Sequence, residues 1–292
     1  MVTFEYLKPR SLDEAISLME SYGEEAIYVA GATDVMVKIR ERKIAPKYLI
    51  SLRHVDGLDT IRMDEEGVLY IGSGVTHRRL ELSEMIQRTY PIIHDAVRNI
   101  GSVQVRNVAT IGGNVVNAVP SADGAVPLLT LDAVAEVKGP KGGRRIPLRD
   151  FFIGPGMTLL EHGEIVTEFE VPARPARTGS CYIKHTRREA MELPLLGVAA
   201  ILSLRGENRR CEKVRLGLGV AAPTPIRAFG AESVLEGAEL VEENILKAAD
   251  TAAMEARVRD SVRGEAWYRR EMVGVLVARA IRMCAARAEE RA

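Results

Sequence analysis

The first part of the chain has a hydrophobic pattern that predicts a small unit of helices and parallel strands. Ser11 and Glu14 form a capping box in front of apolar positions at helical spacing, so we expect a helix that begins there and ends at Gly23. Two short apolar runs, 27–30 and 48–52, are typical of buried strands. Because a loop and a helical stretch separate the two runs, we expect them to share a small parallel sheet.

The sequence of the middle part of the chain predicts a succession of short strands, turns and helices. Thr76 is expected to cap one helix that runs towards Ile86, and Pro91 is expected to open another. Residues 164–171 alternate between polar and apolar side chains, which predicts a half-exposed strand. The basic segment 139–145 is interpreted as the tip of a hairpin, with a binding patch as the alternative.

The last part of the chain predicts antiparallel strands followed by helices. The segment 172–179, with its two prolines, is the best candidate for a linker. Beyond it, the apolar runs 198–204 and 214–220 are expected to form a hairpin. Apolar positions at helical spacing then predict one helix over 231–256 and another over 265–291.

Two stretches of small residues suggest a backbone that lies against a ligand. The first, 29–34, reads Val-Ala-Gly-Ala-Thr-Asp after a predicted strand, and the second, 109–114, reads Ala-Thr-Ile-Gly-Gly-Asn. Glycine permits positive φ and close approach, so clustered main-chain N–H groups in such stretches can form a concavity for phosphate. A tight turn between strands is the alternative for a Gly-Gly pair. Neither stretch is a Gly-x-Gly-x-x-Gly fingerprint, and the chain has no P-loop.

The two stretches, in this order and at this spacing, resemble the FAD-binding medium subunit of the molybdenum hydroxylases, the xanthine dehydrogenase and carbon monoxide dehydrogenase family. The family's Thr-Ile-Gly-Gly-Asn is complete at 110–114, and a matching Pro-Ser-Ala-Asp follows at 120–123. The first stretch departs from the family pattern at Ala32, where glycine is usual. This departure weakens the expectation of close backbone approach at that one position.

The resemblance implies an α+β fold in two domains. Residues 1–175 would form a two-lobed FAD-binding domain of the vanillyl-alcohol-oxidase-like (PCMH) type, with lobes at about 1–58 and 59–175. Residues 176–292 would form a smaller α+β C-terminal domain of the CO dehydrogenase flavoprotein type. FAD is expected to lie between these parts.

The resemblance also implies which residues contact FAD. The two small-residue stretches would serve its diphosphate from opposite sides, and Asp123 would accept hydrogen bonds from ribityl or ribose hydroxyls. Lys184 would place a cation beside the flavin, and Ile165 would meet the ring or contact it through the main chain. On local sequence alone, Asp123 resembles a turn-capping residue and Lys184 a solvated charge. The full expected set is Val29, Ala30, Gly31, Ala32, Thr33, Asp34, Ala109, Thr110, Ile111, Gly112, Gly113, Asn114, Asp123, Ile165 and Lys184.

Four residues beside Lys184 are additional candidates. Tyr182 is expected to cover one face of the flavin ring. His185, Arg187 and Arg188 are expected either at the rim of the cofactor or as ordinary surface charges.

Composition narrows the possible functions. Lys plus Arg and Asp plus Glu are balanced at 40 each, so no basic field is present to attract nucleic acid or anionic lipid. No apolar run is long enough to span a bilayer and no signal-peptide h-region is visible, which predicts a cytoplasmic protein. The 3 cysteines lack Cys-x-x-Cys spacing and the 5 histidines lack a metal-binding spacing. We therefore expect any metal in the reaction to be held by other chains.

The resemblance accordingly implies two partners, a 2Fe–2S small subunit and a molybdopterin-binding large subunit. In such a complex the FAD of this chain takes electrons from the clusters and delivers them to NAD or another acceptor. Two alternatives stay open at this point. One is an FAD-less structural scaffold of the same fold, and the other is a stand-alone flavin oxidoreductase.

Overall fold

The computed structural model of the chain describes residues 3–206 and 209–290, and within them the fold is built on three larger sheets and one two-stranded sheet. Helices pack against both larger sheets of the N-terminal part and against the sheet of the C-terminal part. The predicted α+β class is confirmed. In these described residues, no helix is both long and apolar enough to cross a membrane.

The N-terminal lobe contains the predicted parallel sheet. Its elements are β1 (Glu5–Leu7), α1 (Leu12–Tyr22), β2 (Ala26–Val29), α2 (Val35–Arg40) and β3 (Tyr48–Ser51). The strand order is β1-β3-β2, and both pairings are parallel. Helix α1 begins where the Ser11 hydroxyl accepts the N–H of Glu14 at 3.1 Å, and it ends where Gly23 takes a φ of 53°. Its apolar face packs on the sheet through Ala15, Ile16 and Met19.

The second lobe is an antiparallel sheet covered by short helices. Its strands are β4 (Ile61–Met63), β5 (Leu69–Gly72), β6 (Val134–Gly139), β7 (Gly142–Pro147), β8 (Phe152–Gly154), β9 (Met157–Thr158) and β10 (Ile165–Val171). Its helices are α3 (His77–Leu82), α4 (Glu84–Thr89), α5 (Pro91–Val97), α6 (Val103–Val108), α7 (Ile111–Val116), α8 (Ala125–Thr130) and α9 (Leu148–Phe151). The main sheet has the order β4-β5-β10-β6-β7, and β8 pairs only with β9.

Two sequence predictions for this lobe can be compared with the structure. Thr76 caps a helix as predicted, but the expected single helix is wrong, because the Ser83 hydroxyl accepts the N–H of Ile86 and starts a second helix. The basic segment is a hairpin tip, as predicted, since Gly139 pairs with Gly142 across the β6–β7 turn.

The C-terminal part is a four-stranded antiparallel sheet with three helices. Its elements are β11 (Thr178–His185), β12 (Leu196–Arg205), β13 (Arg210–Gly219), β14 (Ile226–Arg227), α10 (Phe229–Leu235), α11 (Glu242–Glu255) and α12 (Ala266–Glu289). The expected helix over 231–256 is wrong, because Gly237 takes a φ of 75° between α10 and α11. The last helix lies where it was predicted, although the expected end at 291 lies outside the described residues.

Strand β11 connects the two parts of the molecule. It is an edge strand of the C-terminal sheet, and it packs against α5 of the second lobe. Arg287 of α12 reinforces this contact by donating to Asp95 at 2.8 Å and to the Ser180 carbonyl at 2.5 Å. Because side chains alternate along a strand, Cys181 faces α12 whereas Tyr182 turns towards the second lobe.

Candidate cofactor-binding cleft

The two small-residue stretches are in direct contact. A Cβ added to Gly31 would lie 2.2 Å from the carbonyl oxygen of Val108 and 2.7 Å from the Cα of Ala109. Both neighbouring atoms belong to the backbone, so neither can rotate away. The absence of a side chain at Gly31 therefore allows the stretch after β2 to lie against the stretch between α6 and α7.

The first stretch offers unpaired backbone donors. Within the described residues, the N–H groups of Gly31, Ala32, Thr33 and Asp34 donate to no protein acceptor. Ala32 has a φ of 54°, in the left-handed region that favours glycine. This backbone conformation is the one that glycine adopts without strain. Consecutive N–H groups in such a turn form an anion-binding concavity.

The second stretch is a helix start rather than the expected glycine loop. Thr110 caps α7 by accepting the N–H of Gly113 at 3.1 Å, and neither glycine has positive φ. The N–H groups of Ile111, Gly112 and Asn114 donate to carbonyl oxygens of Val75, Ser73 and Thr110. These N–H groups are therefore already used within the protein. Gly112 instead serves packing, since a Cβ there would lie 2.6 Å from Ser73.

A buried carboxylate also lines the cleft. One oxygen of Asp123 accepts the Tyr182 hydroxyl at 2.6 Å, and the other accepts the Lys184 ammonium at 2.9 Å. Lys184 also donates to the carbonyl oxygen of Asn99 at 2.8 Å. Burial raises the pKa of the Asp123 carboxyl, and the charge of Lys184 acts in the opposite direction. Burial next to this carboxylate raises the pKa of Tyr182 well above its usual value.

These residues enclose one cleft of about 540 Å³, lined mainly by the first stretch, part of the second, and the Asp123–Lys184 pair. A segment after β11, residues 191–193, closes one side of the cleft. Lys38 of α2 lines it as well and donates to the Asn117 side chain at 3.0 Å, which gives a second link across the cleft. All six residues of the first stretch line the cleft, together with Ala109, Thr110, Gly113, Asn114, Asp123 and Lys184.

Several expected site residues lie elsewhere. Ile111 and Gly112 are buried beneath the cleft surface, and Ile165 packs in the core of the N-terminal lobe. Tyr182 does not cover a ring face, because its side chain is buried and its hydroxyl is held by Asp123.

The rim candidates also make contacts within the protein. His185 lies 3.1 Å from the Tyr268 hydroxyl. Arg187 and Arg188 both pair with Glu192, and of these three side chains only that of Glu192 lines the cleft. The two arginines therefore hold the segment that borders the cleft.

The chain matches two protein-family models along most of its length. Residues 2–174 match the model of the FAD binding domain in molybdopterin dehydrogenase, and residues 181–284 match the CO dehydrogenase flavoprotein C-terminal domain. The chain is 33% identical to the xanthine dehydrogenase FAD-binding subunit of Escherichia coli O157:H7, over 94% of each chain. The chain belongs to the FAD-binding medium subunits of the molybdenum hydroxylases.

Other relatives agree with this membership. The carbon monoxide dehydrogenase medium chain of Hydrogenophaga pseudoflava is 32% identical, over 97% of this chain and 98% of that one. A crystal structure of Cu,Mo-CO dehydrogenase contains a chain with a TM-score of 0.93 and 31% identity, with 98% of each chain covered. The expected family, and the FAD-binding domain followed by a flavoprotein C-terminal domain, are thus confirmed.

The residues present in the cleft fit FAD. A volume of about 540 Å³ lies within the usual range for cofactor sites, about 300–1,000 Å³. The unpaired N–H groups of the first stretch match the acceptor oxygens of a diphosphate, and Lys184 supplies a buried cation in the same cleft.

Lys38 and His77 are among the cleft residues that sequence reasoning missed. Lys38 lies in the helix after the first stretch, where a lysine usually marks a solvated face. His77 directly follows the cap residue Thr76, and its side chain is fully buried at the cleft. Neither residue belongs to a motif. The position of His77 follows from the pairing of Thr76 with Thr110, two residues that are distant in sequence.

Proposed function

We propose that this chain is the FAD-carrying electron-transfer subunit of a molybdenum hydroxylase complex, which takes electrons from 2Fe–2S clusters of a partner chain and passes them to NAD or another acceptor. The observation that carries the proposal is one cleft lined both by unpaired backbone N–H groups and by the buried Asp123–Lys184 pair. Bound FAD would supply the capacity to accept and release electrons.

The first stretch would hold the diphosphate. The N–H groups of Gly31 to Asp34 have no protein partner among the described residues, so phosphate oxygens can accept from them without breaking a hydrogen bond inside the protein. Charge-assisted hydrogen bonds to phosphate oxygens are about twice as strong as neutral ones. The second stretch would contribute through Thr110, Gly113 and Asn114, which line the cleft. The Asn114 oxygen accepts the N–H of Gly124 at 2.9 Å, which fixes its amide group.

Lys184 would stabilise negative charge on the flavin ring system. Its side chain is 8% exposed, so its charge is poorly screened by water. Asp123 keeps Lys184 in place and neutralises it when no negative charge is present. Each carboxylate oxygen of Asp123 has a lone pair beyond its contact with Tyr182 or Lys184, which leaves capacity to accept a hydroxyl of the cofactor.

The names of the relatives support the proposed partners. They describe a medium chain and an FAD-binding subunit, which are parts of larger dehydrogenases. We propose that the substrate is bound by a molybdopterin-binding large subunit and that a 2Fe–2S small subunit lies between it and this chain. Relatives named for xanthine and for carbon monoxide are almost equally similar, at 33% and 32% identity, so this chain does not determine which substrate the complex oxidises. We also propose a domain boundary at 175/176, between the two matched segments.

The proposal is tested with the full-length chain, first alone and then with its 2Fe–2S and molybdopterin-binding partners. The isolated chain is expected to carry one FAD, seen as flavin absorption that is lost on denaturation and extraction. It is expected to oxidise no substrate by itself, whereas the three-chain complex reduces NAD or an artificial acceptor.

Two results would contradict this function. A purified chain that neither retains nor rebinds FAD would support the scaffold alternative. Full turnover by the isolated chain, with a substrate and an acceptor and no partner, would support a stand-alone flavin oxidoreductase.

A further inference from the structure

The tight turn from Ser261 to Gly264, which we call the projecting turn, is fixed by several hydrogen bonds. Its two end residues exchange backbone hydrogen bonds of 3.1 Å in both directions, so Val262 and Arg263 lie at its apex. The guanidinium of Arg269, which is buried in α12, donates to the Ser261 hydroxyl at 2.6 Å and to the Gly264 carbonyl oxygen at 3.4 Å. A buried cation of the last helix therefore orders this turn.

The apex of the projecting turn is exposed to solvent. Val262 is 95% exposed, and the exposed Arg263 side chain has no ion-pair partner in the described part of the chain. Trp267, three residues after the turn, is 63% exposed, and its indole N–H donates to Glu265. Tryptophan and arginine are the residue types that most often anchor protein interfaces. A turn that is ordered in advance and presents such side chains binds a partner at a lower entropic cost.

The segment that contains the projecting turn carries an excess of positive charge. Residues 257–270 include five arginines and two carboxylates, in a chain whose formal net charge is +0. Four of these arginines are exposed and form no ion pair within residues 3–206 and 209–290: Arg257, Arg259, Arg263 and Arg270. Burial lowers the pKa of Arg269, and the charges of Arg259 and Arg263 act in the same direction. These cations repel one another, so an acidic partner surface would be attracted to them.

The projecting turn lies near the border of the cofactor cleft. A Cβ added to Gly264 would be 2.9 Å from Cδ1 of Leu195, so the turn packs on that side chain. Arg269 also donates to the Leu195 carbonyl oxygen at 2.9 Å. Leu195 follows the segment 191–193, which lines the cleft, by two residues, a span of at most about 7 Å. A protein docked on the turn would therefore lie next to the segment that borders the cleft.

Three kinds of occupant can be compared. Small molecules bind in concavities, whereas Val262 projects into solvent. A second copy of this chain in a two-fold dimer would bring the same arginines face to face. We propose that the projecting turn, Trp267 and the neighbouring arginines form the docking surface for the 2Fe–2S partner chain, which meets them with an acidic recess. Electron transfer falls off steeply with distance, so the partner that delivers electrons to FAD must dock near the cleft. This inference rests on the proposed function and assigns a surface to it.

The test uses the full-length chain assembled with its 2Fe–2S and molybdopterin-binding partners. Assembly is measured as the fraction of complex that survives dilution at low and at physiological ionic strength. Arg263→Glu, which reverses a charge, and Trp267→Ala, which removes an aromatic anchor, are each expected to weaken assembly at least about tenfold. The wild-type affinity should fall as salt is added, and that of Arg263→Glu should change less.

Arg205→Glu is the matched control. Arg205 is an exposed arginine without an ion pair among the described residues, and it lies at the other end of β12, roughly 30 Å from Leu196. We expect this variant to assemble like wild type. All three variants are expected to retain the FAD content of wild type, because none of the changed side chains lines the cleft.

A photo-reactive benzophenone side chain in place of Val262 identifies what the turn contacts in the assembled complex. We expect a cross-link to the 2Fe–2S chain. A cross-link to the molybdopterin-binding chain or to a second copy, or wild-type assembly of both Arg263→Glu and Trp267→Ala, would overturn the inference and leave the proposed function intact. Wild type without FAD would instead refute the proposed function. Should Trp267→Ala not fold, Arg263→Glu alone decides.

Discussion

Replacing Gly31 by alanine tests whether contact between the two stretches forms the site. The new Cβ would lie 2.2 Å from the Val108 carbonyl oxygen, whereas ordinary contacts are 3.4 Å or longer, so the stretches must separate by about 1 Å. The Cα of Ala109, at 2.7 Å, blocks movement in the same direction. Because both obstacles are backbone atoms, we expect a loss of about 2–3 kcal/mol in the free energy of unfolding.

The same displacement affects the N–H groups of the first stretch. A hydrogen bond lengthened by about 1 Å is largely lost. We therefore expect Gly31→Ala to lower FAD affinity by at least about tenfold, as measured by titration of the apo-protein, alongside its urea denaturation curve.

Gly143→Ala is the matched control. Its new Cβ would lie 3.5 Å from the nearest atom, an ordinary contact, on an exposed strand far along the chain from either stretch. We expect it to change neither measurement appreciably. Wild-type stability together with wild-type FAD affinity in Gly31→Ala would refute the argument that these stretches must touch.

Three further predictions concern single residues of the cleft. Asp123→Asn leaves Lys184 buried without its counter-charge, so we expect it to lower the free energy of unfolding by about 3–5 kcal/mol. A double-mutant cycle with Lys184→Met measures the coupling of the two residues, and additive effects would contradict it. Ala32 has a φ of 54°, so Ala32→Gly relieves backbone strain but increases the entropy of the unfolded chain; we expect the free energy of unfolding to change by less than about 1 kcal/mol. Ala32→Val is expected to lose more than about 1 kcal/mol, as measured by urea denaturation. His77 has a pKa of about 4 in the folded protein and about 6.5 in the unfolded chain, so between these pH values the unfolded state binds more protons. The free energy of unfolding should therefore fall by about 1.4 kcal/mol per pH unit as the pH is lowered from about 6.5 towards 4. Denaturation curves of His77→Leu should not show this component.

Local sequence signals predicted the elements whose causes are local. The Ser11–Glu14 capping box sets the start of the first helix, and Pro91 occupies the first turn of α5. Residues that line the cleft were located by the family's two motifs and by the matching positions Asp123 and Lys184. Where a second local signal intervened, the prediction failed, since Ser83 and Gly237 each divide a stretch that had been assigned to one helix.

The parts of the site that were not predicted depend on contacts distant in sequence. The Gly-Gly pair suggested a loop, but Thr110 caps a helix there and Ser73 explains why Gly112 lacks a side chain. Tyr182 is predicted to cover a face of the flavin ring, whereas in the structure Asp123, remote in sequence, accepts its hydroxyl. The unsatisfied nitrogens of His77 are a property of three-dimensional packing alone.

The placement of β11 has a consequence for dissecting the protein. Asp123 belongs to the segment matched by the FAD-domain model, yet both groups that contact its carboxylate, Tyr182 and Lys184, come from the strand beyond that segment. A polypeptide truncated at residue 175 would retain Asp123 without either of these donors. A fusion protein that is meant to contain a complete FAD-binding domain must therefore also include β11, the strand that follows it in sequence.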